Sequence, residues 1–187
     1  MRVAIVVGNP KPKSRTLQVA RTLVEHLVPA DTPVQIIDLA DHTEEIFSWP
    51  SDAISELTAQ VAASDLVVFA TPTYKATYTA LLKAFLDRSP ANGLDGVVAI
   101  PLATGGDLTH ALGADTHLVP LLIELGAVVP GRSLYFVTSD MEALDAIVAD
   151  AAKGYRKALE KAAYVQAQLT PTTTDETREI LADGKAK

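Results

Sequence analysis

The chain has 187 residues, 48% of them apolar and 21% charged, with a net charge of −7 at pH 7. That length suits one α/β domain with a substantial core, and the residue balance is that of a globular protein. The acidic total argues against a general nucleic-acid or anionic-membrane surface, and the lack of cysteine excludes disulfides, thiol catalysis and iron–sulfur ligation by this chain. No apolar run nears the roughly 20 residues that span a bilayer. Met1–Val7 is too short for a signal peptide and runs into a Pro/Lys turn, so the expected location is the cytoplasm.

Val3–Val7 is continuously apolar and reads as a buried parallel strand. The polar turn Gly8–Thr16 follows, and then Leu17, Ala20, Leu23, Val24 and Leu27 recur at helical spacing until Pro29. Val34–Leu39 is a second strand, and 40–50 is irregular. Pro50-Ser51-Asp52 starts a helix with Ile54, Leu57, Val61 and Ala62 inward. Leu66–Ala70 is the third strand, Thr71–Tyr74 a turn, and Tyr78–Leu86 a helix. Val97–Leu102 is the fourth strand, with Ala103–Asp107 as its loop. A helix is expected over 108–125, kinked or bulged by Pro120. Leu134–Val137 is the fifth strand, and Met141–Gln168 a long final helix. Residues 1–169 read as one domain and 170–187 as a mobile tail, with 174–181 able to form a short helix on a partner subunit.

Strands alternating with helices predict a three-layer α/β fold with right-handed crossovers, and five strands fit the flavodoxin-like parallel order 2-1-3-4-5. In that order the loops after strands one, three and four leave the same sheet edge, where such folds bind ligands. The first loop combines a helix start with Ser14, Arg15 and Thr16, and Lys11 and Lys13 join Arg15 in an otherwise acidic chain. Free backbone N–H groups, the helix dipole and these cations suit a terminal monophosphate. The loop is neither a Walker nor a Rossmann motif, and a solvated turn with a Ser/Thr cap is the plainer alternative. The rigid Thr71-Pro72-Thr73-Tyr74-Lys75-Ala76 segment suits the edge of a flat heterocycle, although Tyr74 or Tyr78 at a subunit surface remains open. Thr104-Gly105-Gly106 allows close backbone approach to a ligand, and equally a plain turn before a cap at Asp107. His110, Asp115 and His117 lack a recognised metal-ligand spacing, and no metal site is expected.

Together these segments carry a resemblance to a known family. Gly8-Asn9-Pro10 with Ser14-Arg15-Thr16, Ala70–Ala76 with Tyr78 and Leu82-Lys83, Pro101–Gly106 with His110, and Leu118–Ala127 resemble the NADPH-dependent FMN reductases. The nearest comparison is with members that supply reduced flavin to two-component alkanesulfonate monooxygenases. The resemblance runs from Met1 to about Val137. It implies FMN and NADPH or NADH as ligands, hydride transfer from nicotinamide to flavin N5, and no protein acid or base at the reacting atoms. Carried over residue by residue, Ser14, Arg15 and Thr16 fall at the FMN phosphate, and Asn9 is a further cofactor-binding candidate. Pro72, Thr73, Tyr74 and Lys75 fall beside the isoalloxazine ring, and Thr104, Gly105 and Gly106 face its pyrimidine portion. Asn9 and Lys11 stand where members often have Ser and Arg. Members that release reduced flavin often carry an extra aromatic residue forming a π-bulge, at a place occupied here by Thr116 or His117. The family also implies a homodimer or homotetramer, with Phe47, Trp49 and the Tyr78–Phe85 helix as interface candidates, and a possible partner monooxygenase. Two alternatives stay open: a flavoenzyme that keeps FMN and reduces quinones, azo compounds or metal ions, and a flavodoxin-type electron carrier.

Overall fold

Every side chain of the strand Val3–Val7 is buried, because alternate residues feed two different cores. The computed structural model describes residues 1–169, and the tail expected over 170–187 lies outside the described residues. Five strands, β1 (Val3–Val7), β2 (Val34–Asp38), β3 (Leu66–Pro72), β4 (Val98–Gly105) and β5 (Leu134–Val137), form one parallel sheet in the order β2-β1-β3-β4-β5. The helices are α1 (Arg15–Leu27), α2 (Asp52–Ala62), α3 (Ala80–Leu86), α4 (Val119–Glu124) and α5 (Leu144–Leu169). Val3, Ile5 and Val7 pack with Leu23 of α1 and Val148 of α5, whereas Ala4 and Val6 pack with Ile54 of α2, Leu82 of α3 and Leu122 of α4. The result is the expected three-layer flavodoxin-like fold. Phe69, Phe85 and Phe136 are fully buried, each worth about 1.5–3 kcal/mol relative to exposure.

The sheet has a stepped upper edge, and that step makes room for a site. β1 stops at Val7, paired with Ala70, while β3 and β4 run on to pair Thr71 with Ala103 and Pro72 with Thr104. Thr71 and Pro72 therefore extend a strand where a turn was expected, and Ala103, Thr104 and Gly105 belong to β4. Pairing between the two strands holds these polar residues extended. Pro72 is tolerated because it lies beyond the end of β1, and Pro101 sits one residue before pairing with β5 begins.

Gly8 is the junction below the step. Its N–H donates to Ala70 O (2.8 Å), and its carbonyl accepts the Thr79 hydroxyl (2.5 Å). A Cβ here would stand 2.5 Å from Leu82 Cβ, so only glycine lets β1 approach α3 this closely. Thr79 also accepts from Leu82 N, capping α3 and moving its start from Tyr78 to Ala80.

The helix expected over 108–125 is broken. Residues 106–112 are turns and bends, Leu108 and Leu112 are exposed, a π-helical segment spans Ala114–Leu118, and α4 starts only at Val119. Pro120 accounts for the π-segment: it has no N–H to donate and its ring crowds the preceding turn, which the wider π-turn relieves. Asp115 ties the π-segment to the entry of β5. One carboxylate oxygen accepts Ser133 N (2.6 Å), and the other accepts two Arg132 nitrogens (3.1 and 3.0 Å). Smaller differences follow local bonding. β2 ends at Asp38, which caps a short 3₁₀ turn over Leu39–His42, and another 3₁₀ turn over Thr138–Ala143 precedes α5. No helix among the described residues is long and apolar enough to cross a membrane.

Burial alone would raise the Asp115 carboxyl above its usual 3.8, but the Ser133 amide and Arg132 outweigh it and hold the group below that value. A depressed folded-state pKa contributes stability above the unfolded value and loses it as pH falls through the folded one. We expect Asp115→Asn to cost about 1–3 kcal/mol at pH 7. In urea unfolding, that gap closes as the pH drops below 3.8. A gap independent of pH contradicts this assignment.

Candidate active site

The step in the sheet opens into a cleft of about 500 Å³. Its walls come from all three expected segments: Asn9 and Lys11–Thr16 from the first, Pro72–Tyr74 from the second, and Thr104–Gly106 from the third, with Thr138 added at the end of β5. Ten of the eleven expected contact residues thus meet in one place. Lys75 does not line the cleft; it stands exposed at the tip of a turn with φ 51°. Thr138 carried no local signal in the sequence, since only the pairing of β5 with β4 brings it here.

Ser14 builds the first wall. Its side chain caps α1 by accepting from Leu17 N (3.3 Å), while its carbonyl accepts Gln18 N (3.1 Å). Those bonds leave the amides of Arg15 and Thr16 without an acceptor among the described residues, at the positive end of the α1 dipole. Lys11, Lys13 and Arg15 surround them, and no carboxylate lines the cleft. The loop holds its shape through Asp38, whose carboxylate accepts Lys13 N (3.1 Å) at a residue with φ 53°. Asp38 is a site-shaping residue that the sequence did not reveal, because its partner lies 25 positions away.

A buried polar chain joins the first and third walls. Asn9 Oδ1 accepts Lys11 N (2.9 Å), which fixes the amide so that Nδ2 donates to Thr16 Oγ1 (3.1 Å). Thr16 and Thr104 share a hydroxyl hydrogen bond of 2.8 Å, and Thr16 is only 1% exposed. Asn9 therefore orients α1. The second wall is tied on by Thr73 N donating to Thr104 O (2.7 Å). Arg15 reaches across to Thr138 O (3.3 Å). Gly105 lies against β5, where a Cβ would overlap the Tyr135 hydroxyl, whereas Gly106 faces open space.

These features fit a phosphorylated, flat ligand: unpaired amides with three cations at one end, rigid extended backbone at the other. A hollow of about 410 Å³ at the opposite end of the sheet, lined by Arg2, Pro33, Gln35 and Gln60 among others, has neither feature. Among the described residues no group of three or more His, Asp or Glu side chains is placed to hold a metal.

Comparison with known proteins decides the family. The sequence profile of the NADPH-dependent FMN reductases matches residues 1–142. The chain belongs to the NADPH-dependent FMN reductase family. Its activity class is therefore that of an oxidoreductase using FMN and NAD(P)H. It is 36% identical over 130 residues to the FMN reductase (NADPH) of Escherichia coli strain K12, covering 68% of each chain. It is 31% identical over 156 residues to the NADH-dependent FMN reductase SfnF of Pseudomonas putida, covering 78% of this chain and 80% of that one. Among solved structures, the apo form of an NADH:FMN oxidoreductase (EMOB) superposes with a TM-score of 0.75 at 29% identity, covering 83% of this chain and 88% of the other.

The buried chain is directly testable. Thr16→Val keeps the shape but strips the hydroxyl that serves both Asn9 and Thr104. We expect a loss of about 1–3 kcal/mol in chemical unfolding. A midpoint equal to that of the wild-type protein would show that the chain carries no stability.

Proposed function

We propose that the cleft holds FMN with its phosphate at the N-terminus of α1 and its ring between the Pro72–Tyr74 and Thr104–Gly106 walls, within a catalytic unit of residues 1–169. The observation that carries this reading is the coincidence of unpaired Arg15 and Thr16 amides with three cations and no carboxylate. Ser14, Arg15 and Thr16 take the phosphate oxygens; Lys11 and Lys13 add charge without the bidentate fork of arginine. Asn9 acts from behind, holding Thr16 and through it the helix end.

The bound flavin supplies the two-electron acceptor for a hydride from the nicotinamide of NAD(P)H. The chain's contribution is alignment. Pro72 and the β3–β4 pairing present rigid backbone to one edge of the ring, and Gly106 keeps the other edge free of side chains. No His, Asp or Glu lines the cleft, in keeping with a transfer that needs no protein proton donor at the reacting atoms. The relatives include both NADPH and NADH users, so the nicotinamide donor is written NAD(P)H.

We further propose that the reduced flavin leaves for a partner monooxygenase, a reading supported by the sequence resemblance, and that the chain works as a homodimer or homotetramer. Phe47 and Trp49, 75% and 62% exposed, are the surface residues that favour an interface, whereas Phe85 is fully buried in the core. Trp49 is held for this by Arg88, whose guanidinium lies 4.0 Å from the ring centroid and donates to Ile46 O and Ser48 O.

Arg15→Ala tests the phosphate assignment. FMN affinity should fall by about 1–3 kcal/mol, roughly 5- to 150-fold, while riboflavin, which lacks the phosphate, binds as before. Equal losses for both flavins, or none for FMN, would remove Arg15 from the phosphate end.

A further inference from the structure

The turn after Tyr74 is costly in itself and is held from outside. Tyr74 N donates to Thr77 O (3.0 Å) and Thr77 N to Tyr74 O (3.2 Å), closing a two-residue turn. Its two central residues, Lys75 and Ala76, have φ of 51° and 68°. Such turns favour Asn-Gly, and side-chain-bearing residues in this region are strained. One side of the turn is fixed by Thr73 N on Thr104 O (2.7 Å). The other side rests on Gly113.

Gly113 lies at the head of the π-segment with an ordinary helical φ of −59°. Its own backbone therefore does not require glycine. Space does: a Cβ at 113 would stand 2.5 Å from Ala76 O and 3.4 Å from its carbonyl carbon. The π-segment beneath is itself anchored. Thr116 Oγ1 donates to Leu112 O (3.0 Å) and Gly113 O (3.3 Å), and Asp115 binds Ser133 and Arg132. A firm platform thus meets a strained turn at the one position without a side chain. Tyr74, which closes the turn with Thr77, is half-exposed on the wall of the cleft.

We propose that Gly113 is a positioning residue for the flavin ring: its missing side chain lets the Lys75–Ala76 turn seat on the π-segment, and that seat sets where Tyr74 stands over the cleft. The proposal rests on the reading that the cleft holds FMN. Gly113 acts on the ring end of the ligand, in contrast to Arg15 at the phosphate end. The two positions therefore separate experimentally.

The test uses the full chain and its Gly113→Ala variant, titrated with FMN and with riboflavin by flavin fluorescence, alongside urea unfolding. A misplacement of about 1 Å suffices for a large effect on alignment. We expect both flavins to weaken by one common factor, on the order of fivefold or more, leaving the FMN-to-riboflavin ratio as in the wild-type protein. Adding Ala76→Gly frees the carbonyl to turn away from the new methyl group. This double variant should recover the stability lost in Gly113→Ala and keep the flavin loss, because the turn is no longer seated. It also supplies the binding measurement if the single variant does not fold. Wild-type affinity in a folded Gly113→Ala protein, affinity that returns together with stability, or a loss confined to FMN would each overturn the proposal. If the wild-type chain binds neither flavin, the reading of the cleft itself fails, and this inference falls with it.

Discussion

One buried chain of side-chain hydrogen bonds, Asn9 to Thr16 to Thr104, fixes the geometry on which the cleft depends. It ties the start of α1 to the end of β4 across the gap where β1 has stopped. Buried polar groups of this kind are costly when half satisfied and rigidifying when satisfied. Here the satisfied state holds the first turn of α1, with its free Arg15 and Thr16 amides, at the wall of the cleft. Asn9 has a second role in the same chain, since its oxygen also closes the turn onto Lys11 N. Asn9 thus braces the start of α1 from the protein side.

The same edge shows how a parallel sheet opens a cleft at its strand ends. β1 ends early, β3 and β4 continue, and the loops that leave this edge are held by backbone bonds. Gly8 allows the tight approach of β1 to α3, and Thr79 locks that approach while capping the helix. Hydride transfer between two bound ligands asks for alignment and little else from the protein. A cleft built from rigid strand ends and unpaired amides suits that demand, and Lys11, Lys13 and Arg15 mark one end of it as cationic.

Much of this was legible in the sequence because it depends on local pattern. Val3–Val7 and Leu134–Val137 announce themselves as short apolar runs, and alternation of strand and helix gives the sheet order. Ser14 reads as a cap, and the cations around it stand out against an acidic chain. What escaped depends on distant partners. Gly105 looks like a loop residue but is held extended by pairing with Val137. Asp38 and Thr138 shape the cleft only because β2 and β5 deliver them to the same edge. The helix expected over 108–125 is not formed at its start, where Leu108 and Leu112 face solvent, and a π-turn precedes Pro120 and α4. Lys75 has suitable chemistry, but its left-handed backbone places it at the tip of the turn, outside the cleft wall.

The central claim is that the first turn of α1 binds the phosphate of FMN through the amides of Arg15 and Thr16. Amide NMR of the full chain, titrated with FMN and separately with riboflavin, tests it most directly. The account predicts that the Arg15 and Thr16 amide resonances move downfield on saturation with FMN and stay near their free positions with riboflavin. Resonances at α1 that are unmoved by bound FMN, or moved equally by both flavins, would contradict it.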